Sequence, residues 1–406
     1  MSQFCRHCAA PLFINFLDLG FAPPSNAYLL PKDLSCMEMT FPLRLLACNE
    51  CRLVQTEDYA TADFLFKDDY AYFSSTSKTW LIHAAKYADM IINRFGLGQK
   101  SRVIEIACND GYLLKNFLTR DIPCLGVEPS KSTADAARSL GIPVAQEFFG
   151  ASFALKLDKA DLIVGNNVFA HVPNINDFTA GLKIALKPEG VITLEFPHLM
   201  QLVEFNQFDT VYHEHFSYLS LFAAERIFAL AGLRVFDVEE LTTHGGSLRI
   251  YGCHFASNHL TTSAVRATRN EENARGIDTD DYYRAFQTKA DAVKDNFVRF
   301  LLAAKAEGKT VAGYGAAAKG NTIINYAGIK PDLMPFICDA AEAKIGKLMP
   351  GSHIPIFSPS KMRNSRPDYV VILPWNIATE IQSELSDLKA LGTTFVTAVP
   401  NLKVLE

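Results

Sequence analysis

The sequence predicts an α/β protein in three parts, and three observations carry that expectation. Two Cys-x-x-Cys pairs frame a small metal-binding unit near the N-terminus. Strand and helix signals alternate from Arg102 to about Phe196, and the alternation restarts over roughly the last hundred residues. The expected domains are residues 1–70, 71–265 and 266–406, and a 406-residue chain is long enough to give each a core.

Composition narrows the class. Apolar residues make up 49% and charged residues 20%, a globular profile. A net charge of −5 argues against nucleic acid or an anionic membrane as the main partner. No apolar run approaches the roughly 18–20 residues that cross a bilayer, and Met1-Ser2-Gln3-Phe4-Cys5-Arg6 lacks the hydrophobic core of a signal peptide. Nine cysteines, four of them in the two pairs, suit a reducing compartment better than a disulfide framework. The expectation is a soluble cytoplasmic protein.

Cys5, Cys8, Cys48 and Cys51 offer four soft thiolates for a tetrahedral zinc ion. With all four ligands from protein, that site has no open position and is structural. His7 is expected to turn outward and Cys36 to be buried apolar filler. Residues 67–79, polar and aromatic, read as a linker over a cleft, with a helix following from about Lys78 to Arg94.

The central strand Arg102–Ala107 carries Glu105 and runs through Ala107 into Cys108-Asn109-Asp110-Gly111 and then a helix. A second strand, Cys124–Val127, ends at Glu128, at the distance expected of an acid that binds ribose hydroxyls. A third, Asp161–Gly165, ends at Asn166-Asn167 and leads to a helix, a Pro188-Glu189-Gly190 turn and the strand Val191–Glu195. The first loop has a single glycine, not the Gly-x-Gly-x-x-Gly that lets backbone press on a pyrophosphate. That pattern suits a nucleoside without phosphates, S-adenosylmethionine, held by Glu105, Ala107, Asn109, Asp110, Gly111, Glu128, Asn166 and Asn167.

Beyond the sheet, Tyr212-His213-Glu214-His215 puts a phenol, a carboxyl and two imidazoles within four residues. Such a cluster can take a proton, hold it and steady an oxyanion; it can equally be a hydrogen-bond network. Metal binding there would need further ligands. Alternation along an extended segment would send the two histidines to opposite sides. Next come a helix from Leu221 to Ala231 and strands Leu233–Val238 and Ser247–Phe255, with Ser247 and Arg249 as candidate ligand contacts after His244-Gly245-Gly246. A long amphipathic helix is expected over about Asp280–Glu307. The C-terminal strand Thr310–Gly313 enters Tyr314-Gly315-Ala316-Ala317-Ala318-Lys319-Gly320-Asn321, small residues and a lysine that could cradle a diphosphate. Further strands end at Asp339 and at Pro374-Trp375-Asn376, and Thr394–Thr397 is expected to be the last.

Taken in order, the zinc pairs, the single-glycine loop, the Tyr-His-Glu-His cluster and the Gly-Tyr-Gly-Ala-Ala-Ala-Lys-Gly-Asn stretch resemble the S-adenosylmethionine-dependent sugar C-methyltransferases, over essentially the whole chain. The resemblance implies a small zinc-binding N-terminal domain, a central Rossmann-like methyltransferase domain and a C-terminal Rossmann-like domain that helps bind a nucleotide-diphosphate-linked keto sugar. It implies methylation of a ring carbon beside a ketone, with His215 as base, Tyr212 and Glu214 beside it, and His171 also in the site. A tyrosine before the central domain, Tyr72 in preference to Tyr70, would reach in too. Substrate contacts would come from Ser247, Arg249, Tyr314, Gly315, Lys319, Asn321, Asp339 and Trp375. The chemistry agrees with the residues: a hydrogen α to a ketone can go to a neutral imidazole if Tyr212 or His171 donates to the enolate oxygen, while Glu214 orients a histidine. The rival readings are a nicotinamide-dependent nucleotide-sugar oxidoreductase, which the missing glycine fingerprint disfavours, and a non-catalytic nucleotide-sugar-binding module. Sugar, nucleotide, stereochemistry and oligomeric state stay open, a monomer included.

Overall fold

The computed structural model describes residues 3–57, 59 and 73–405, so Tyr70 and Tyr72 lie outside the described residues. Near the N-terminus, β1 (Ile14–Ala22), β2 (Phe41–Ala47) and β3 (Val54–Thr56) form an antiparallel sheet. The buried set Ile14, Phe16, Leu17, Leu19 and Ala22 faces the C-terminal unit. Phe16 stacks on Phe286 with ring centroids 4.8 Å apart and planes 9° from parallel. Two small expectations fail here. Cys36 is exposed, because it follows a 3-10 turn, Pro31–Ser35, that buries nothing. His7 is buried instead of outward, its Nδ1 2.8 Å from Asn176 Oδ1 on a central-domain helix.

The central sheet begins after the helix Lys78–Phe95, which Ser77 caps by accepting Trp80 N and Gly96 ends at φ +61°. Strands β4 (Val103–Ile106), β5 (Cys124–Val127), β6 (Val144–Ala145), β7 (Ala160–Asn166) and β8 (Leu186–Pro197) run parallel. The expected Pro188-Glu189-Gly190 turn is absorbed into β8, where Leu186 already pairs with Ala160. After β8 the chain crosses back, and β9 (Ser217–Tyr218) joins the N-terminal sheet as its fourth strand, in the order β1-β2-β3-β9. β11 (Ser247–His254) then adds antiparallel to β8 and β10 (Leu233–Leu241) antiparallel to β11, completing a seven-stranded sheet β10-β11-β8-β7-β4-β5-β6. All four residues of β4 are buried, as a strand covered on both faces requires. From β4 the chain steps to β5 on one side and reaches β7 on the other, so a crevice opens beyond their C-terminal ends.

A helix without an evident sequence signal, Ser263–Ala274, buries Glu272. That carboxylate accepts from Leu221 N at 2.6 Å and Phe222 N at 2.9 Å and meets His198 Nε2 at 2.7 Å, tying the helix to the central unit. The long amphipathic helix is broken at Ala285 into Asp280–Arg284 and Phe286–Ala306. The last unit is a six-stranded sheet of β12 (Val311–Tyr314), β13 (Ile337–Cys338), β14 (Ile356–Phe357), β15 (Tyr369–Ile372), β16 (Thr394–Thr397) and β17 (Lys403–Leu405). Its order is β14-β13-β12-β15-β16-β17, parallel except for β17. Thr397 therefore does not end the last strand; β17 follows, three largely exposed residues too short to carry a signal of their own.

Candidate active site

One cavity of about 1050 Å³ lies between the crevice of the central sheet, the N-terminal loop around residues 23–39 and the start of the helix Ala318–Tyr326. Its floor is the loop after β4. Ala107 and Asn109 there are left-handed (φ +55° and +49°), as are Asn167 after β7 (φ +54°) and His244 (φ +55°). Non-glycine residues in that region store backbone strain, and here all four line the same cavity. Glu128 accepts from Asn109 N at 3.0 Å and Ser130 N at 2.9 Å, which orients its carboxyl at the cavity edge. Asn166 also lines the cavity with its amide buried, and Asn167 Oδ1 has no hydrogen-bond partner among the described residues.

Three expected contacts stand behind this surface. Glu105 is fully buried; burial first, then the Glu128 and Asp110 charges, push it well above the usual carboxylate range, with the Leu114 backbone N–H opposing. Asp110 accepts from Ser75 N at 3.0 Å, and with Asn109 Oδ1, which accepts Ser74 N at 2.9 Å, it anchors the segment before the Lys78 helix. Gly111 (φ +78°) serves packing: a Cβ there would meet Ile142 Cδ1 at 2.5 Å.

The Tyr212–His215 stretch is a turn, closed by His215 N donating to Tyr212 O at 3.0 Å, not an extended segment. The two histidines still diverge. His213 Nε2 meets Pro42 O at 3.2 Å, away from the cavity, while His215 lines it. His215 Nδ1 donates to Thr210 O at 3.1 Å, which assigns Nε2 as its lone-pair nitrogen. Burial, then the neighbouring His171, hold this imidazole well below its usual pKa, so it is neutral at pH 7. His171 crosses its ring edge-on at 4.5 Å and spends its Nδ1–H on Glu214 O at 2.8 Å; burial lowers it to about 4. The Tyr212 ring lies 4.1 Å from the His215 ring.

The segment that presents Thr210 O is held at three points. Gln207 Nε2 donates to Gly245 O at 2.6 Å, Asp209 Oδ2 accepts Trp375 Nε1–H at 2.7 Å, and Val211 O accepts Thr322 Oγ1–H at 2.8 Å. Lys319 lines the cavity with Nζ 4.5 Å above the Trp375 ring and 3.0 Å from Asn376 Oδ1. Desolvation lowers its ammonium pKa and Asp209 opposes this, while burial raises Asp209 to about 6. Trp375 thus acts from behind the wall. The other expected substrate contacts also lie outside the cavity lining. Arg249 is buried between Glu195 (2.7 Å) and Glu239 (2.8 Å). Ser247 Oγ donates to Thr243 O at 3.0 Å, and Tyr314 bonds Glu384 at 3.0 Å. Gly315 backs onto Pro374, Asn321 accepts from Asn325 at 3.0 Å, and Asp339 pairs with Lys344 at 3.2 Å. Among the lining residues without a prior signal are Asn26, Trp80, Tyr112, Thr210, Lys344 and Lys347; His244 lines it too, on the turn its two following glycines marked.

Away from the cavity, the ligand sulfurs of Cys5, Cys8, Cys48 and Cys51 all lie within 4.8 Å of one another. Four sulfurs so close suit a shared tetrahedral cation. Cys48 and Cys51 bridge β2 and β3, and β3 pairs with β9 (Val54 with Tyr218, Gln55 with Ser217), two residues past His215. The metal centre therefore braces the strand that follows the Tyr212–His215 turn.

A doubly wound crevice and a neutral imidazole share one cavity, with the four-cysteine cluster away from it, and the chain belongs to the S-adenosylmethionine-dependent C-methyltransferases. Family models match in the same order: a zinc binding domain over residues 5–66, a methyltransferase domain over 80–238 and a C-methyltransferase C-terminal domain over 242–400. The chain is 33% identical over 405 residues to the C-methyltransferase NovU of Streptomyces niveus, spanning 99% of this chain and 96% of that one. Among solved structures, the glycopeptide N-methyltransferase MtfA with S-adenosylmethionine is similar at 15% identity, 42% of this chain, 94% of that chain and a TM-score of 0.35. Magnesium protoporphyrin IX methyltransferase of Synechocystis PCC 6803 with bound S-adenosylmethionine is similar at 12% identity, 47% and 88% coverage and a TM-score of 0.34. S-adenosylmethionine is the methyl donor, and zinc fits the four cysteines.

Proposed function

We propose that the protein methylates the carbon beside the ketone of a nucleotide-diphosphate-linked keto-deoxysugar, C-3 of a 4-keto sugar, by deprotonation, enolate formation and methyl transfer. The observation that carries this reading is the tautomer of His215. With Nδ1–H committed to Thr210 O, Nε2 is a lone-pair base at neutral pH in the cavity that also holds the buried amide of Asn166 and the unpartnered Oδ1 of Asn167. When bound, S-adenosylmethionine supplies an electrophilic methyl group and its sulfur keeps the electron pair as that group leaves. Glu128 would take the ribose hydroxyls, and Asn166, Asn167 and the loop Ala107–Asp110 the remainder of the nucleoside. Asp110 and Asn109 hold the segment over it, and Glu105 supports the loop from below. His215 takes the α proton, and Tyr212 flanks its ring; fixing acceptor carbon and methyl in one cavity supplies much of the rate. Lys319, Lys344 and Lys347 on the C-terminal wall suit the acceptor's diphosphate.

The test is transfer of label from methyl-labelled S-adenosylmethionine to a panel of thymidine- and guanosine-diphosphate keto-deoxysugars, run beside deuterium uptake from solvent at the acceptor carbon. Label on carbon with solvent exchange at that position is expected. Label on oxygen or nitrogen, or hydride chemistry with a nicotinamide, would overturn the reading.

A further inference from the structure

The loop that leaves β1 crosses the cavity before returning as β2, and one of its side chains reaches the catalytic turn. Asn26 Nδ2 donates to Glu214 Oε1 at 3.0 Å. The loop is pinned on the far side: Tyr28 Oη donates to Ala316 O at 2.6 Å, and Leu29 pairs with Leu348. Asn26 is therefore placed by both flanking units and is not a wandering loop residue.

Glu214 is 2% exposed and has no ion-pair partner within 4.0 Å among the described residues. Its Oε2 is buried with no hydrogen bond among the described residues, on a residue that lines the cavity. The side chains around it are Asn26, Tyr212 and Tyr218, with His171 on its own carbonyl and His213 and His215 on either side in sequence; none of these supplies a fixed positive charge. A buried carboxyl met only by one side-chain amide and its own backbone N–H, with no cation, is more stable protonated. In a protonated carboxyl the carbonyl oxygen is the better acceptor, so Oε1, which accepts from Asn26, favours the hydroxyl on Oε2.

We propose that Asn26 is a positioning residue that holds Glu214 as an uncharged carboxylic acid with its Oε2 hydroxyl aimed at the acceptor's carbonyl oxygen. This rests on the keto-acceptor reading above. It also adds a donor beside Tyr212, since His171 has committed its N–H to Glu214 O and cannot offer it to an enolate. In the step, the α proton moves to His215 Nε2, the C–H pair becomes the C=C bond, and the carbonyl π pair moves to oxygen. Glu214 meets that oxygen with a hydrogen bond and keeps its proton. The enolate pair then forms the new C–C bond to the methyl group, and His215 returns its proton to water. The direction of the Glu214 titration agrees: burial raises it to about 7, and the Asn26 donor, then Glu214's own backbone N–H, oppose the rise.

The test needs no acceptor. Carbon NMR of full-length protein labelled at glutamate Cδ, with S-adenosylhomocysteine bound, should show one carboxyl that is protonated at pH 6, titrates near neutrality and disappears in Glu214→Gln. Asn26→Leu should move that titration up by about one pH unit, the worth of one ordinary hydrogen bond. Should Glu214→Gln not fold, the carboxyl displaced by Asn26→Leu identifies the resonance by itself. An ionised Glu214 at pH 6, or a titration that Asn26→Leu leaves in place, overturns the proposal. In turnover, Glu214→Gln should retain at least about a tenth of kcat, because an amide N–H can replace the hydroxyl, and should lose the fall in rate above neutrality. A loss of several hundredfold in that variant would mean a carboxylate is needed and would equally overturn it. A protonated, Asn26-dependent Glu214 without methyl transfer to any keto sugar would count against the acceptor, not against the positioning by Asn26.

Discussion

Replacing Arg249 with methionine separates two roles that one arginine cannot combine in this structure. Its side chain is 3% exposed, 2.7 Å from the fully buried Glu195 and 2.8 Å from the half-exposed Glu239, and it stacks 4.6 Å over the Tyr87 ring. Stranding a buried partner charge costs about 3–5 kcal/mol. Glu195 would keep His83 at 2.9 Å and Thr243 Oγ1 at 2.9 Å, and Glu239 can turn to water, which places the loss near the lower end. A cost of about 3 kcal/mol against a slope of about 1–3 kcal/mol/M lowers the urea midpoint of the central unit by about 1–3 M. The assay is urea unfolding at pH 7, followed by the fluorescence of Trp80, which is on the helix against that sheet. The pH dependence is set by sign. Burial would raise Glu195, but His83 and Arg249 outweigh it and hold it at about 2, below the unfolded value near 4.3. Its stabilisation is therefore complete above about pH 5 and is lost as pH falls toward 2; Arg249→Met should flatten that acid slope. An unchanged urea midpoint with a KM for the sugar raised tenfold or more would refute this account and return Arg249 to the substrate.

Other outcomes follow from the same geometry. His215→Asn should slow methyl transfer by about 10²–10⁴-fold while calorimetry finds S-adenosylhomocysteine binding unchanged. Asn166→Ala should weaken cofactor binding by about tenfold, one hydrogen bond to a buried polar partner, with little change in kcat. Stripping zinc with a chelator should abolish methyl transfer before it abolishes S-adenosylhomocysteine binding, because the metal braces β3 and, through it, β9 beside His215, whereas the cofactor loop belongs to the central sheet. Cys36, being exposed, should react with a maleimide in the native protein without loss of activity, a difference that mass spectrometry of Cys36→Ser would confirm.

What the sequence determined by itself is what neighbours along the chain decide. Two Cys-x-x-Cys pairs mark a metal site because the short spacing already brings each pair of thiolates together. The parallel strands show as apolar runs because both faces are covered, and their acidic or amide ends, Glu128 and Asn166-Asn167, fall where a doubly wound crevice must open. The grouping of Tyr212, Glu214 and His215 is legible for the same reason: four residues cannot be far apart. Tertiary structure alone decided which of these groups face the cavity, which are spent on each other, and what protonates where. Arg249 looks like a ligand contact in the sequence and is a buried counter-ion in the fold, because Glu195 comes from a neighbouring strand. Asn26 carries no signal, yet it meets Glu214 across a separation of 188 residues. Burial and partner choice are properties of packing between distant segments, and spacing does not encode them; the tautomer of His215 and the charge of Glu214 follow from packing alone.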